Sequence, residues 1–82
     1  MWYVYIIRCA DDSLYTGIAR NLDDRIATHN SGKGGAYTRS RLPVKLVYSE
    51  AAQDRSIASR REHAIKSLPR EAKLELIAAT TV

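Results

Sequence analysis

The segment Trp2–Arg8 (WYVYIIR) constrains this chain more than any other. It is dense in aromatic and β-branched residues, the composition of a strand. Successive side chains of a strand point to opposite faces. Here both sets are large: Trp2, Val4 and Ile6 on one side, Tyr3, Tyr5 and Ile7 on the other. A strand apolar on both faces has to be covered on both, which puts it in the middle of its sheet. With 82 residues, there is room for one domain, residues 1–82, built around that strand.

The rest of the sequence supplies its neighbours. Ala10-Asp11-Asp12-Ser13 is turn chemistry, and Leu14–Ile18 resumes an extended pattern, so the first two strands form an antiparallel hairpin. A register close to symmetric about the turn brings Tyr5 and Tyr15 together. The second strand breaks at Gly17. A helix then begins at Asn21, a good N-cap, with Asp23 and Asp24 at its positive end. Leu22 and Ile26 anchor this helix, and Arg25 and His29 lie one turn apart on the side where the core is expected. Ser31–Gly35 ends the helix in a flexible loop with three glycines. Pro43–Glu50 (PVKLVYSE) alternates Val44, Leu46 and Tyr48 against Lys45, Val47 and Ser49, a half-buried third strand. Asp54–Ser67 reads as a helix with an apolar stripe of Ile57, Ala58, Ala64, Ile65 and Leu68. Glu62 sits on the margin of that stripe and His63 points away from it. Arg61 falls in its middle, where it either pairs with an acid or snorkels. Pro69 breaks the helix and opens a last one, to about Ala79, that turns Ala72, Leu76 and Ile77 inward. Thr80–Val82 should fray. The order β-β-α-β-α-α is an α+β fold: a small three-stranded antiparallel sheet flanked by three helices.

Charge narrows the function classes. Thirteen Lys and Arg against nine Asp and Glu give a net charge of +4, which favours anionic partners, nucleic acid first among them. Lys33, Arg39, Arg41 and Lys45 fall in residues 33–45, a stretch without an acid. Within it Tyr37-Thr38-Arg39-Ser40-Arg41 has two readings: an aromatic and two arginines that stack on bases or contact phosphate, or a solvated loop. The glycines lack the spacing of a P-loop and do not open a helix. The single Cys9 leaves no internal disulfide and points to a reducing compartment. The apolar run Val4–Ile7 is too short for a signal peptide or a membrane span, so a cytoplasmic protein without membrane association is expected. One cysteine and two widely separated histidines make no recognisable zinc site.

Arg25, His29 and Glu62 are poorly placed for mere solubility, and Tyr5 and Tyr15 join them if the hairpin register holds. A cation and an imidazole facing inward are costly unless they serve something. Together the five suit metal-assisted phosphodiester hydrolysis. A lone carboxylate, Glu62, can hold one hydrated Mg²⁺, which would polarise a phosphate oxygen and stabilise the leaving oxygen. Arg25 would grip the phosphate as its charge grows. Tyr15, Tyr5 or His29 would position and deprotonate the attacking water. A tyrosine base needs its pKa brought down from about 10 by neighbouring cations. Spacing alone does not select this set.

Tyr3-Val4-Tyr5, Tyr15-Thr16-Gly17, Arg25, His29 and Glu62 resemble the signature of the GIY-YIG endonucleases. The length, the Asn30–Gly34 loop and the Tyr37–Arg41 segment are similar to small stand-alone bacterial members. They are also similar to the catalytic domain of eukaryotic structure-selective nucleases that cut branched DNA. The resemblance runs from Trp2 to Ile77. It implies that Tyr5 and Tyr15 frame the attacking water and that Gly17 lets the backbone approach the phosphate or turn towards the helix. It makes Arg25 the transition-state arginine, His29 its helical partner, and Glu62 the ligand of Mg²⁺ or Mn²⁺. Lys33, Tyr37, Arg39 and Arg41 are the expected nucleic-acid contacts. The implied activity is a DNA endonuclease of low sequence specificity, or one acting on branched or single-stranded substrates in repair or recombination. DNA is favoured over RNA, and a protein partner could supply specificity. The alternatives are a non-catalytic nucleic-acid-binding module and a nuclease subunit active only with a partner. Tyr3 stands where the family name has Gly, Thr16 where it has Ile, and Ile18 where the excision-repair branch has Lys. An asparagine of some branches has no counterpart near Lys73 and Leu74. Phosphate positioning is therefore weaker here or is supplied by Lys33, Arg39 or Arg41.

Overall fold

In the computed structural model, which describes residues 1–80, the chain runs β1 (Trp2–Arg8), β2 (Leu14–Ala19), α1 (Leu22–Asn30), α2 (Ala36–Arg39), β3 (Lys45–Ala52), α3 (Arg55–Lys66) and α4 (Arg70–Thr80). Of the segment Thr80–Val82 expected to fray, Thr80 is the last residue of α4, and residues 81–82 lie outside those described. The three strands form an antiparallel sheet in the order β2-β1-β3, with β1 in the centre as its two apolar faces require. This is the α+β fold read from the sequence, with one helix more. α2 is a single turn, too short for any periodic signal.

Each face of β1 closes its own cluster. Val4 and Ile6 pack with Tyr48, Ala52, Ala58, Ile65 and Ile77, so α3 and α4 cover that face. Tyr5 and Ile7 pack with Cys9, Ala19 and Val44 and with the half-buried Leu22, Ile26 and Leu42, so α1 and the segment behind it cover the other. Both longer internal helices begin on side-chain caps: Asn21 Oδ1 accepts from the Asp24 N–H at 3.1 Å and Asp54 Oδ1 from the Ile57 N–H at 2.9 Å. Among the described residues no helix is long and apolar enough to cross a membrane.

Several local expectations are corrected. β2 does not break at Gly17 but continues to Ala19. The hairpin register pairs Tyr5 with Gly17 and Ile7 with Tyr15, so Tyr5 and Tyr15 share a face without standing opposite each other. The connection spans residues 9–13 and the pairing is symmetric about Asp11, which makes Gly17 the partner of Tyr5. A Tyr5–Tyr15 pair would need a turn centred one residue earlier. In the β1–β3 ladder Ile6 faces Tyr48 and Ile7 faces Leu46, leaving Val47 as the extra residue of a β-bulge. The bulge resets the period-2 pattern. Val44 and Leu46 therefore join the Tyr5 cluster while Tyr48 joins the Val4 cluster, although strict alternation puts all three on one face. On α3 only Ala58 and Ile65 of the predicted stripe are buried, and Ile57 is exposed. Arg61 pairs with an acid: its Nε donates to both Glu50 carboxylate oxygens, at 3.0 and 2.9 Å, and the Tyr48 hydroxyl donates to the same carboxylate.

Candidate active site

His29 ends the inner stripe of α1, one turn after Leu22 and Ile26 have anchored the helix, and is 1% exposed. A buried imidazole is tolerable only if both nitrogens find partners. Both do: Nε2 lies 2.9 Å from the Tyr5 hydroxyl and Nδ1 lies 2.9 Å from Thr38 Oγ1. The Thr38 hydroxyl also reaches the Gly35 carbonyl, at 3.5 Å. With its one hydrogen directed there, Thr38 accepts from Nδ1–H, and Nε2 is left to accept from Tyr5; the tautomer is assigned from this network. Burial first, and Arg25 second, push the His29 pKa down, so the ring is neutral at pH 7.

Two glycines make the space for this arrangement. A Cβ at Gly17 would stand 2.5 Å from the Tyr5 hydroxyl oxygen, and a Cβ at Gly34 would collide with the His29 ring. Gly17 thus gives way to a side chain of the protein itself, where the sequence suggested a phosphate or a turn.

Around the Tyr5 hydroxyl the other expected residues converge. Tyr15, Arg25 and Glu62 all act electrostatically on it, and Tyr5 and Tyr15 both set their rings edge-on to His29. Burial dominates, with Tyr15 and Glu62 adding to it and Arg25 opposing, so the Tyr5 pKa is pushed up to about 12. This is the reverse of the depression expected for a tyrosine base. Arg25 differs too: it is exposed on the flank of α1, and its guanidinium has no hydrogen bond or salt bridge to another described residue. It is therefore free to meet an anion.

Glu62 approaches from α3. Its side chain is 23% exposed and its Oε2 lies 3.4 Å from Lys66 Nζ. Among the described residues no group of three or more His, Cys, Asp or Glu gathers to hold a metal. A single half-buried carboxylate fits Mg²⁺ or Mn²⁺ bound mainly by water and phosphate oxygens, and the flexible Lys66 can swing away to admit it.

The basic segment is divided by the fold. Lys33 and Arg39 are exposed. Arg41 is tied in: its Nε donates to Asp11 at 3.0 Å, a terminal nitrogen donates to the Tyr37 carbonyl at 2.7 Å, and the guanidinium lies 4.0 Å over the Tyr37 ring. Tyr37 in turn stacks on Tyr15 with centroids 5.8 Å apart. Within the segment Tyr37 and Arg41 are thus engaged by other residues of the protein, while Arg39 stays exposed. Two participants escaped the sequence reading. Lys66 stands one turn after Glu62, a spacing that was visible; its Nζ also lies 6.0 Å over the Tyr15 ring. Thr38 gave no signal, because its partner is fixed only by the packing of α2 on α1.

Comparison with known proteins matches residues 1–75 to the GIY-YIG catalytic domain model. The chain is 55% identical over 75 residues to the UPF0213 protein SH2523 of Staphylococcus haemolyticus, covering 92% of each. It is 56% identical over 80 residues to the UPF0213 protein DP2720 of Desulfotalea psychrophila, covering 96% of this chain and 73% of that one. Among solved structures it is similar to the solution NMR structure of the UPF0213 protein BH0048 from Bacillus halodurans. The TM-score is 0.63 at 43% identity, over 98% of this chain and 86% of the other.

Proposed function

The chain belongs to the GIY-YIG catalytic-domain family, a nuclease family, and from that premise we propose that it is a divalent-metal-dependent DNA endonuclease. One observation carries the reading: a buried tyrosine hydroxyl is bonded to a neutral histidine, with an unpaired arginine and a lone carboxylate on two separate helices acting on it.

In this reading the free Arg25 fork grips the scissile phosphate and gains contact as the pentavalent state builds negative charge. Tyr15 and Tyr5 frame the attacking water. A phenol with a pKa near 12 does not release its proton unaided. Tyr5 can take the water proton only as its own passes to Nε2 of neutral His29, 2.9 Å away. Thr38 holds the Nδ1–H side of the ring, which keeps Nε2 open to accept. Glu62 would hold the Mg²⁺ or Mn²⁺ ion, which when bound supplies Lewis-acid polarisation of a phosphate oxygen. Lys33 and Arg39 remain available for flanking phosphates. Residues 1–82 act as one domain in the cytoplasm, with low sequence preference.

The test is a cleavage panel of single-stranded, duplex, flap and four-way-junction DNA with Mg²⁺ or Mn²⁺. Cutting should require the ion, stop on chelation, and fall by about 100-fold or more in Arg25→Ala and in Glu62→Ala, with both variants folded by circular dichroism. Absence of cutting on every substrate, or normal cutting by both variants, refutes the proposal.

A further inference from the structure

A second concentration of aromatic and cationic groups lies beside the cleft. Arg20, just after β2, and Arg55, at the start of α3, bring their guanidinium carbons to 5.9 and 5.8 Å from the centre of the Trp2 ring. Trp2 opens β1 and is half-buried against the Val4 cluster. Next to it runs an open groove of about 440 Å³ whose lining includes Trp2, Arg20, Asn21, Asp24 and Arg25. A neighbouring hollow of about 370 Å³ shares Arg20 and Asn21. Arg20, Arg25 and Arg55 make no salt bridge with a described residue. Arg20 and Arg25 thus line the groove without a bound carboxylate, and an anion entering it meets two guanidiniums. Asp24 is the one carboxylate lining the groove and caps no arginine there.

An anion site, an indole ring and a cleft large enough for a small ligand together describe a nucleotide. We propose that this groove binds an unpaired nucleotide of the substrate strand beside the scissile bond, with its phosphate between Arg20 and Arg25 and its base against Trp2. The proposal rests on the nuclease reading, because Arg25 belongs to both the groove and the catalytic cluster. It also supplies what that reading lacks, a reason for substrate shape. A base held in a duplex cannot offer its face to an indole, whereas one in a flap, a branch or a single strand can.

Trp2 is the only tryptophan of the chain, so its fluorescence reports on this groove alone. The full chain is titrated in EDTA, where cutting is suppressed, with single-stranded DNA, the same sequence as RNA, an abasic DNA strand and a perfect duplex. Anisotropy of the labelled nucleic acid is followed alongside. Trp2 emission should be quenched in step with binding of single-stranded DNA or RNA, the two arms showing which sugar is preferred. It should change little with the abasic strand and the duplex. Arg20→Gln should weaken single-strand binding about tenfold, with melting temperature as the folding control. The quenching arms use the unaltered chain and so stand even if that variant does not fold. Binding by anisotropy with unchanged Trp2 emission overturns the groove assignment and leaves the nuclease reading intact. Failure of every nucleic acid to bind overturns the groove assignment, while the metal-dependent cleavage panel decides the nuclease reading separately.

Discussion

Tyr5, Gly17 and His29 form the unit on which the site depends, and each tolerates little change. Gly17→Ala forces a methyl group to within 2.5 Å of the Tyr5 hydroxyl oxygen. It should cost about 1–3 kcal/mol of stability through overpacking, read as a lowered denaturation midpoint, and displace the hydroxyl from His29. The pH dependence of His29 has a definite sign. Burial and Arg25 lower its pKa in the folded chain, so the unfolded chain binds the proton more readily. The stability contributed by the neutral ring is complete above about pH 6.5 and is lost as pH falls through the depressed folded value. Denaturant unfolding at about pH 8 and about pH 5.5 should show stability declining with acid. In His29→Gln, which keeps a polar side chain without titrating, the decline should be smaller. An equal decline in both proteins would assign it to other groups.

The elements are joined by a few polar clamps whose energies can be measured. Asn30, the last residue of α1, donates to the Val44 carbonyl at 3.1 Å and accepts from the Val44 N–H at 2.8 Å. This fixes the helix end to the entry of β3. Asn30→Ala should destabilise by about 1–2 kcal/mol and loosen the segment that carries Thr38. Amide exchange should then rise across residues 31–44 more than in β1. Asp54→Ala removes the cap of α3 and should cost about 1 kcal/mol. Because α3 carries Glu62, the variant also tests whether metal-dependent cutting depends on the seating of that helix. At this scale the strand of two apolar faces and the Asn21 cap of α1 were legible in the sequence. The bulge at Val47 was not, since a single inserted residue leaves the local composition unchanged and only reverses the facing of its neighbours along the strand.

For the whole molecule, the net charge of +4 matters through where its cations stand. Lys33 and Arg39 are exposed in the segment between α1 and β3, while Arg41 is already engaged with Asp11 and Tyr37. Neutralising Lys33 and Arg39 together should weaken nucleic-acid binding uniformly across sequences. The slope of log affinity against log salt should fall by about 1.4 for a single strand, two contacts at roughly 0.7 each. Arg41→Gln should instead act mainly on stability and on the packing of Tyr37. A salt slope unchanged by the first pair would move the phosphate path elsewhere on the surface.

Local chemistry sufficed for the α+β fold, the central strand and the N-cap of α1, because strand composition and capping are properties of adjacent residues. The five candidate site residues came from a resemblance and not from their spacing. Tertiary structure alone decided how those residues meet. The register set Tyr5 over Gly17 instead of beside Tyr15, and packing of the one-turn α2 delivered Thr38 to His29. Arg25 stayed at the surface while His29, one turn on, was buried. Burial then raised the Tyr5 pKa against the pull of Arg25. Pairing register, burial and the field at a hydroxyl are sums over residues distant in sequence, so no local pattern encodes them.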